Sequence, residues 1–481
     1  VAAADPRAGY SAAEAVAEAG RCLRCECLEC VKVCAYLERF GAYPRKYARE
    51  IYNNESIVMG MRQANQLSNS CSLCGLCERV CPEDFAVQDL CLQARRSMVQ
   101  RGKMPPSAHE FALQDMRFSL SERFHLARHA PEHSQSAHAF FPGCQLCASN
   151  PGQVKRLYRH LMECLPGGTG LMLGCCGAPA FWAGQEGEFH RVAEGALRDW
   201  EALGRPRLIA ACSTCFRMFT EHLPEVPTIS LWQLLEEIEL PARSAAASGL
   251  TLAVHDPCTT RPYPAVQDAA RRLLKRLGIS VEELALGRDK TECCGFGGLM
   301  QNANPDLSRE VAARRARRSP LDYLTYCAMC RDSLAAVGKR ALHLLDLYFP
   351  APEDGEPAVR PRPGWSERQE NRARLKDSLA VELWGEGRQA MPAYGRIRLI
   401  IAPEVARLID RRRILDEDIR RVIYAAEESG NVAVHPPTGR IKACHRPYRA
   451  TIWVEYSLTP EGYVIHTAYS HRMEVTGGPR R

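Results

Sequence analysis

The run "CSLCGLCERVCP" at residues 71–82 places Cys71, Cys74, Cys77 and Cys81 at the spacing C-x2-C-x2-C-x3-C-P, closed by Pro82. That spacing binds a cubane 4Fe–4S cluster. A structural zinc site rarely uses the triple repeat. A less regular run, "CLRCECLECVKVC", lies at residues 22–34. Cys27, Cys30 and Cys34 fit the same spacing, but its first position falls on Arg24 and no proline follows Cys34. Cys22 or Cys25 must therefore supply the missing ligand. Paired cubane sites exchange their fourth ligands. By that rule Cys81 serves the first cluster and Cys34 the second. Cys91, ten residues beyond Cys81, reads as a buried thiol.

A different chemistry is written in "GCCGAP" (174–179) and "TECCGFGGL" (291–299). A disulfide between neighbouring cysteines is strained, so each pair needs another purpose. Each lies in a set of five thiols: Cys144, Cys175, Cys176, Cys212 and Cys215, then Cys258, Cys293, Cys294, Cys327 and Cys330. The second set follows the first by 114, 118 and 115 residues at its three anchors (144 to 258, 175 to 293, 212 to 327), which marks an internal repeat. One cubane needs four thiolates. Five, two of them adjacent, suggest a cluster of another shape, in which consecutive thiolates reach different irons or one bridges two. The glycine after each pair, Gly177 or Gly295, is expected to let the backbone pass close to inorganic sulfide.

The elements that must hold these thiols are also legible. Apolar runs precede the anchors: "AFFPGC", "GLMLGC", "RLIAAC", "TLAVHDPC" and "YLTYC". Helix-like stretches such as 153–164 and 307–318 follow. Strand, cysteine-bearing turn and helix are the parts of an α/β layer. Ligands then sit at the carboxyl ends of strands, near helix N-termini that favour an anionic cluster. Linker composition appears at 128–137, 241–249 and 351–374. The expected organisation is multidomain: an α-helical two-cluster domain (1–135), two tandem α/β cysteine-rich modules (138–246 and 250–351), a linker (352–377) and a small α+β domain (378–481). In that last domain, "APEVARLIDRRRILDEDIRRVIYAAEES" predicts two amphipathic helices and "ATIWVEYSL-TPEG-YVIHTAYS" a hairpin.

Composition limits the function. The chain has 481 residues, too many for one core. Its 46% hydrophobic and 25% charged residues are ordinary, so the 23 cysteines are the outlier. A net charge of +7 spread along the chain does not argue for nucleic acid. The N-terminal stretch does not read as a signal peptide and no apolar run is long enough to span a bilayer. The expected location is cytoplasmic, free or peripheral on the inner face of the membrane. No G-x-G-x-x-G opens a helix and no P-loop is present, so electrons must come from a partner.

The patterns C-x30-CCG-x34-C-x2-C and C-x34-CCG-x31-C-x2-C resemble the CCG cysteine-rich modules of heterodisulfide reductases and related iron–sulfur subunits. "SNSCSLCGLCERVCP", preceded by "YPRKYAREIY", resembles that family's ferredoxin-like subunit. The resemblance covers residues 20–350. It implies two cubane clusters and two non-cubane 4Fe–4S clusters, with the ten module cysteines as ligands to the latter. It also implies disulfide cleavage at exposed irons, with Cys258, Cys293, Cys294, Cys327 and Cys330 as the reactive set. The opening "AAEAGRCLRCECLEC" resembles the N-terminal segment of glutamate-synthase-type flavin subunits, but no flavoprotein body follows.

The expected function is an electron-transfer subunit that reduces a disulfide or heterodisulfide, with a flavoprotein or cytochrome b as partner. The alternative is an iron–sulfur conduit in a quinone-linked glycolate, lactate or glycerol-3-phosphate dehydrogenase, which the same modules resemble. His255, in "HDPC", is the candidate proton donor to a leaving thiolate; otherwise it forms a loop-capping pair with Asp256. Cys147 and Cys164 read as extra thiols of module one. The arginines of "REVAARRARRS" (309–319) read as a solvated helix face or an acidic-partner patch. His435, Cys444, His445, His466 and His471 match no standard metal spacing.

Overall fold

The computed structural model describes residues 3–4, 10–20, 22, 25–41, 43–60, 62–241, 249–350, 355–387 and 391–473. The N-terminal region is helical, as expected, with its main helices at Pro44–Ser56, Arg62–Asn69, Val87–Gln100 and Pro106–Ser119. Pro44 and Pro106 each sit in a first turn, where the missing N–H has no helical partner to lose. Tyr36, Leu37, Tyr47, Leu67 and Cys91 bury together between these helices, with Met300 and Leu307 of the second module joining them.

Two sheets follow. The first is built from β1 (Leu126–Arg128), β2 (His138–Phe141), β3 (Thr169–Leu173), β4 (Arg207–Ala210) and β5 (Thr228–Ser230), in the order β1-β3-β2-β4-β5. All pairings are parallel except that of the edge strand β1. The second comprises β6 (Thr251–His255), β7 (Ser280–Glu283), β8 (Tyr323–Thr325) and β9 (Ala341–His343), in the order β7-β6-β8-β9, all parallel. Set side by side, β3-β2-β4-β5 and β7-β6-β8-β9 have the same topology, so the cysteine repeat is a fold repeat. The central strands β2, β3, β4, β6 and β8 are apolar and buried almost throughout, as parallel strands covered on both faces must be. One continuous core runs through both modules and includes Leu375 and Leu379.

Leu375 and Leu379 belong to a stretch that composition misassigns. Residues 352–377, expected as a linker, include most of a 20-residue helix, Trp365–Trp384. Arg368 and Arg372 on this helix are fully buried. Arg372 donates to Asp115 at 3.2 Å and to Ser119 at 2.8 Å. Arg368 donates to Asp332 at 2.6 Å and to Gln145 at 2.8 Å. The helix looked polar because its inward face is cationic, and its carboxylate partners come from other parts of the chain.

The C-terminal domain is α+β, with helices Pro403–Arg412 and Asp416–Ser429 against a sheet of β10 (Leu399–Ile401), β11 (Ala433–His435), β12 (Arg440–His445), β13 (Thr451–Thr459) and β14 (Gly462–His471). Strand order is β10-β14-β13-β12-β11, and β13–β14 is the expected hairpin. Ile419, Val422, Ile423, Val454 and Ile465 form its separate core. Arg413 donates to the carbonyls of Gln301 and Asn302 in module two, fastening the domain there.

Candidate metal centres

Five thiols line one cavity between the N-terminal domain and module two: Cys34, Cys71, Cys74 and Cys77 from two separated runs of the former, and Cys293 from the latter. Loop geometry makes this possible. Leu73 and Gly75 adopt positive φ (54° and 76°), turning the chain so that Cys71, Cys74 and Cys77 all face the cavity. Burial raises the Cys34 thiol to about 12, with Cys74 adding to the effect. A buried set of four thiols is the donor chemistry a 4Fe–4S cluster needs. Cys81 faces the other run: it acts on Cys25 and Cys30, while Cys27 also neighbours both. The structure therefore brings together the two exchanged sets. Cys22 is exposed and Cys25 half-buried beside Cys81, which makes Cys25 the better-placed fourth thiol. Cys91 is fully buried, hydrogen-bonded to Cys71 and 3.4 Å from the Tyr36 hydroxyl.

In each module the thiols stand at the carboxyl ends of parallel strands. Cys144 follows β2, Cys175 and Cys176 follow β3, and Cys212 follows β4. Cys258 follows β6 and Cys327 follows β8, whereas Cys293 and Cys294 come after a longer loop from β7. Cys212 and Cys327 are the N-caps of helices Ser213–His222 and Ala328–Ala335. The positive ends of those helices favour thiolate. The five thiols of module one form a hydrogen-bonded row, Cys144–Cys175–Cys176–Cys215–Cys212. Module two repeats it as Cys258–Cys293–Cys294–Cys330–Cys327. Hydrogen bonds from Cys175 and Cys215 lower Cys176 to about 6, and the bond from Cys215 lowers Cys212 to about 7. Soft thiolates gathered this way suit iron–sulfur ligation.

Gly143 is required for close approach. At φ 82° its backbone passes so near the thiols that a Cβ would come within 2.9 Å of Cys212 Cβ and 3.0 Å of Cys215 Sγ. Gly177 and Gly295 also stand where a side chain has no room. Both have positive φ (81° and 85°), and a Cβ at Gly177 would meet Phe189 and one at Gly295 would strike the Ser308 carbonyl. At both glycines a neighbouring helix packs close to the turn.

A pocket joins the two modules. All five module-one thiols and Cys327 line it, with Phe111, Trp182, Phe296 and Trp365 among its walls. His343, at the end of β9, also faces it. His343 Nδ1 accepts from the Leu345 N–H at 3.4 Å, which leaves the ring proton on Nε2, and burial lowers the ring to about 4. Sequence reasoning missed His343 because no motif surrounds it; the topology alone brings β9 beside β8. His255 is not among the pocket's lining residues. It is fully buried, with one ring nitrogen within 4.8 Å of the Cys294 and Cys330 sulfurs. Burial, reinforced by Arg315, lowers it to about 3, so it stays neutral and is poorly suited to deliver a proton. Its partner is Arg315 at 2.9 Å, while Asp256 binds Arg271 and Tyr326.

The remaining candidates are placed as follows. Cys147 is buried next to Cys144, and Cys164 lies apart, near His160. The supposed solvated arginine face is partly internal: Arg315 is fully buried, and Arg314 and Arg318 pair with Glu292. His435 bonds Thr438, His466 bonds Ser457 and His471 accepts from Trp453. The described C-terminal histidines do not converge on a metal site.

With this geometry in place, similarity to known proteins defines the class. Residues 21–86 match a 4Fe-4S dicluster domain, and residues 138–220 and 252–332 each match a cysteine-rich domain. The chain is an iron–sulfur protein with one dicluster domain and two tandem cysteine-rich domains. More particularly, it is similar to a component of the dihydromethanophenazine:CoB–CoM heterodisulfide reductase of Methanosarcina acetivorans, 25% identical over 371 residues, covering 66% of this chain and 88% of the relative. It is also similar to a component of the fumarate reductase (CoM/CoB) of Methanothermobacter marburgensis, at 23% identity over 364 residues, covering 67% and 71%. A shorter similarity, 26% over 159 residues and covering 30% and 63%, links it to lactate utilization protein A of Oceanobacillus iheyensis. The resemblance to heterodisulfide reductase iron–sulfur subunits is thus borne out. Among the described residues, no helix is long and apolar enough to cross a membrane.

Proposed function

We propose that the chain is the electron-transfer subunit of a redox complex and that a disulfide is reduced in the pocket between its two modules. The observation that carries this reading is that five thiols of one module and Cys327 of the other line a single pocket. The relatives are named as components of multi-subunit reductases, which supports a place in a larger complex. Two cubane and two non-cubane 4Fe–4S clusters fit the four thiol sets, held by Cys25 (or Cys22), Cys27, Cys30 and Cys81; by Cys34, Cys71, Cys74 and Cys77; and by the two rows of five. When bound, such clusters supply one-electron transfer and iron sites open to a substrate sulfur.

The protein's own residues do the rest. Cleaving R–S–S–R′ to two thiols takes two electrons, which a flavoprotein or cytochrome b partner must supply, and two protons. Aromatic walls keep water from the reacting sulfurs. His343 lines that wall, which His255 does not, and its Nε2–H can hydrogen-bond a substrate sulfur. The ligand rows also have an order. Cys74 touches Cys293, and Cys327 of the same row lines the pocket, so the module-two row stands between the set of Cys34, Cys71, Cys74 and Cys77 and the module-one row. This moves the reactive position from the module-two set alone to the pocket face shared with module one.

A second reading has one observation in its favour. Among the described residues no lysine or arginine lines the pocket, and Asp115 on its wall is paired with Arg372, which suits an uncharged molecule and hence a conduit to quinone. Adding thiol to oxidised protein separates the two. Disulfide chemistry predicts a new paramagnetic signal broadened by isotopic labelling of the thiol sulfur. A conduit gives no thiol-dependent signal and shows quinone-linked turnover instead.

A further inference from the structure

We propose that His255 is a fixed N–H donor to the sulfurs of Cys294 and Cys330, and that Arg315 is the positioning residue that sets its tautomer. The inference rests on the reading that module two holds a metal cluster. A guanidinium has donors only. Arg315 Nε lies 2.9 Å from His255 Nδ1, so Nδ1 must accept, and the single proton of the neutral ring sits on Nε2. His255 Nε2 is buried and has no hydrogen-bond partner among the described residues. The sulfurs of Cys294 and Cys330 are the groups gathered around the ring, within 4.8 Å. Arg315 cannot swing away: it also donates to the Leu286 carbonyl at 2.7 Å and pairs with Glu292, which Arg318 holds at 2.8 Å.

The arrangement is asymmetric. His255 stands three residues before Cys258; the equivalent residue before Cys144 is Phe141, which packs edge-on against Phe219 and has nothing to donate. The repeat therefore gives module two a donor that module one lacks. Hydrogen bonds to ligand sulfur stabilise the more negative, reduced state and raise the reduction potential. Module two is thereby set to take up electrons more readily than it would without the donor.

The test uses the intact chain with its clusters. Replacing His255 with the residue of module one, His255→Phe, should leave iron content unchanged, move the module-two midpoint potential to more negative values in an EPR-monitored titration, and remove an exchangeable-proton coupling seen in water but not in deuterium oxide. The module-one signals should stay where they are. An unchanged potential and an unchanged proton coupling in iron-replete variant overturn the proposal. Native protein with 15N-labelled histidine needs no variant: a weak nitrogen coupling to the module-two cluster supports the donor bond. No coupling, or one as large as direct ligation gives, overturns it. A native protein with no module-two signal would overturn the metal reading on which the proposal rests.

Discussion

The thiol of Cys74 in the dicluster domain lies against the thiol of Cys293 in the second cysteine-rich module. Two ligand sets from different domains are therefore in direct contact. Cys293→Ser should perturb the signals of the neighbouring cubane as well as its own module, while Cys294→Ser, which touches Cys293 and Cys330, should remove only the module-two signal. EPR of the two variants, each checked for folding by circular dichroism, reads the difference. Equal, purely local damage in both would mean the contact does not couple the sites.

Anaerobically isolated protein should be brown and carry about sixteen irons, four for each of four thiol sets. Iron and sulfide analysis checks this. Stoichiometric zinc in a colourless preparation would refute the iron–sulfur assignment.

Gly143→Ala should cost module one its cluster and spare the other three sets. The added methyl has no room against Cys212 and Cys215, and the backbone there has φ 82°. Iron content should fall by about a quarter by that count. Full iron content would show that the loop relaxes.

Arg372→Met should destabilise the protein by about 3–5 kcal/mol, since it leaves the Asp115 carboxylate buried without its main partner. Denaturant unfolding measures it. The same pair gives a pH dependence. Burial pushes the Asp115 carboxyl up, but Arg372 overrides this and holds it below the usual range. Because the folded value is depressed, the stabilisation is present above the unfolded value of about 3.9. It is lost as pH falls through the folded value. In Asp115→Asn that part of the acid sensitivity should disappear.

Much of the site was legible because its cues are local. An apolar run followed by cysteine marks the carboxyl end of a buried strand, and a shift of about 115 residues marks the repeat. The hairpin of β13 and β14 was equally plain from its turn. What escaped depends on partners distant in sequence. Helix Trp365–Trp384 looks like solvated linker until Asp115 and Asp332 are brought to Arg372 and Arg368. His343 has no signal at all before β9 is placed. His255 stood out in the sequence, but only the fold reveals Arg315 beside it.

Arg95 sets a limit on motion. Fully buried, it donates to the carbonyls of Ser68 and Cys71 in the dicluster domain, of Gly298 in module two and of Trp182 in module one, at 2.7–2.9 Å. One guanidinium thus pins three units at a single point. None of the three can act as a swinging arm that visits donor and acceptor in turn. Transfer distances are set once, at folding, and turnover must be gated elsewhere: by the docking of the electron donor or by the arrival and release of what the pocket holds.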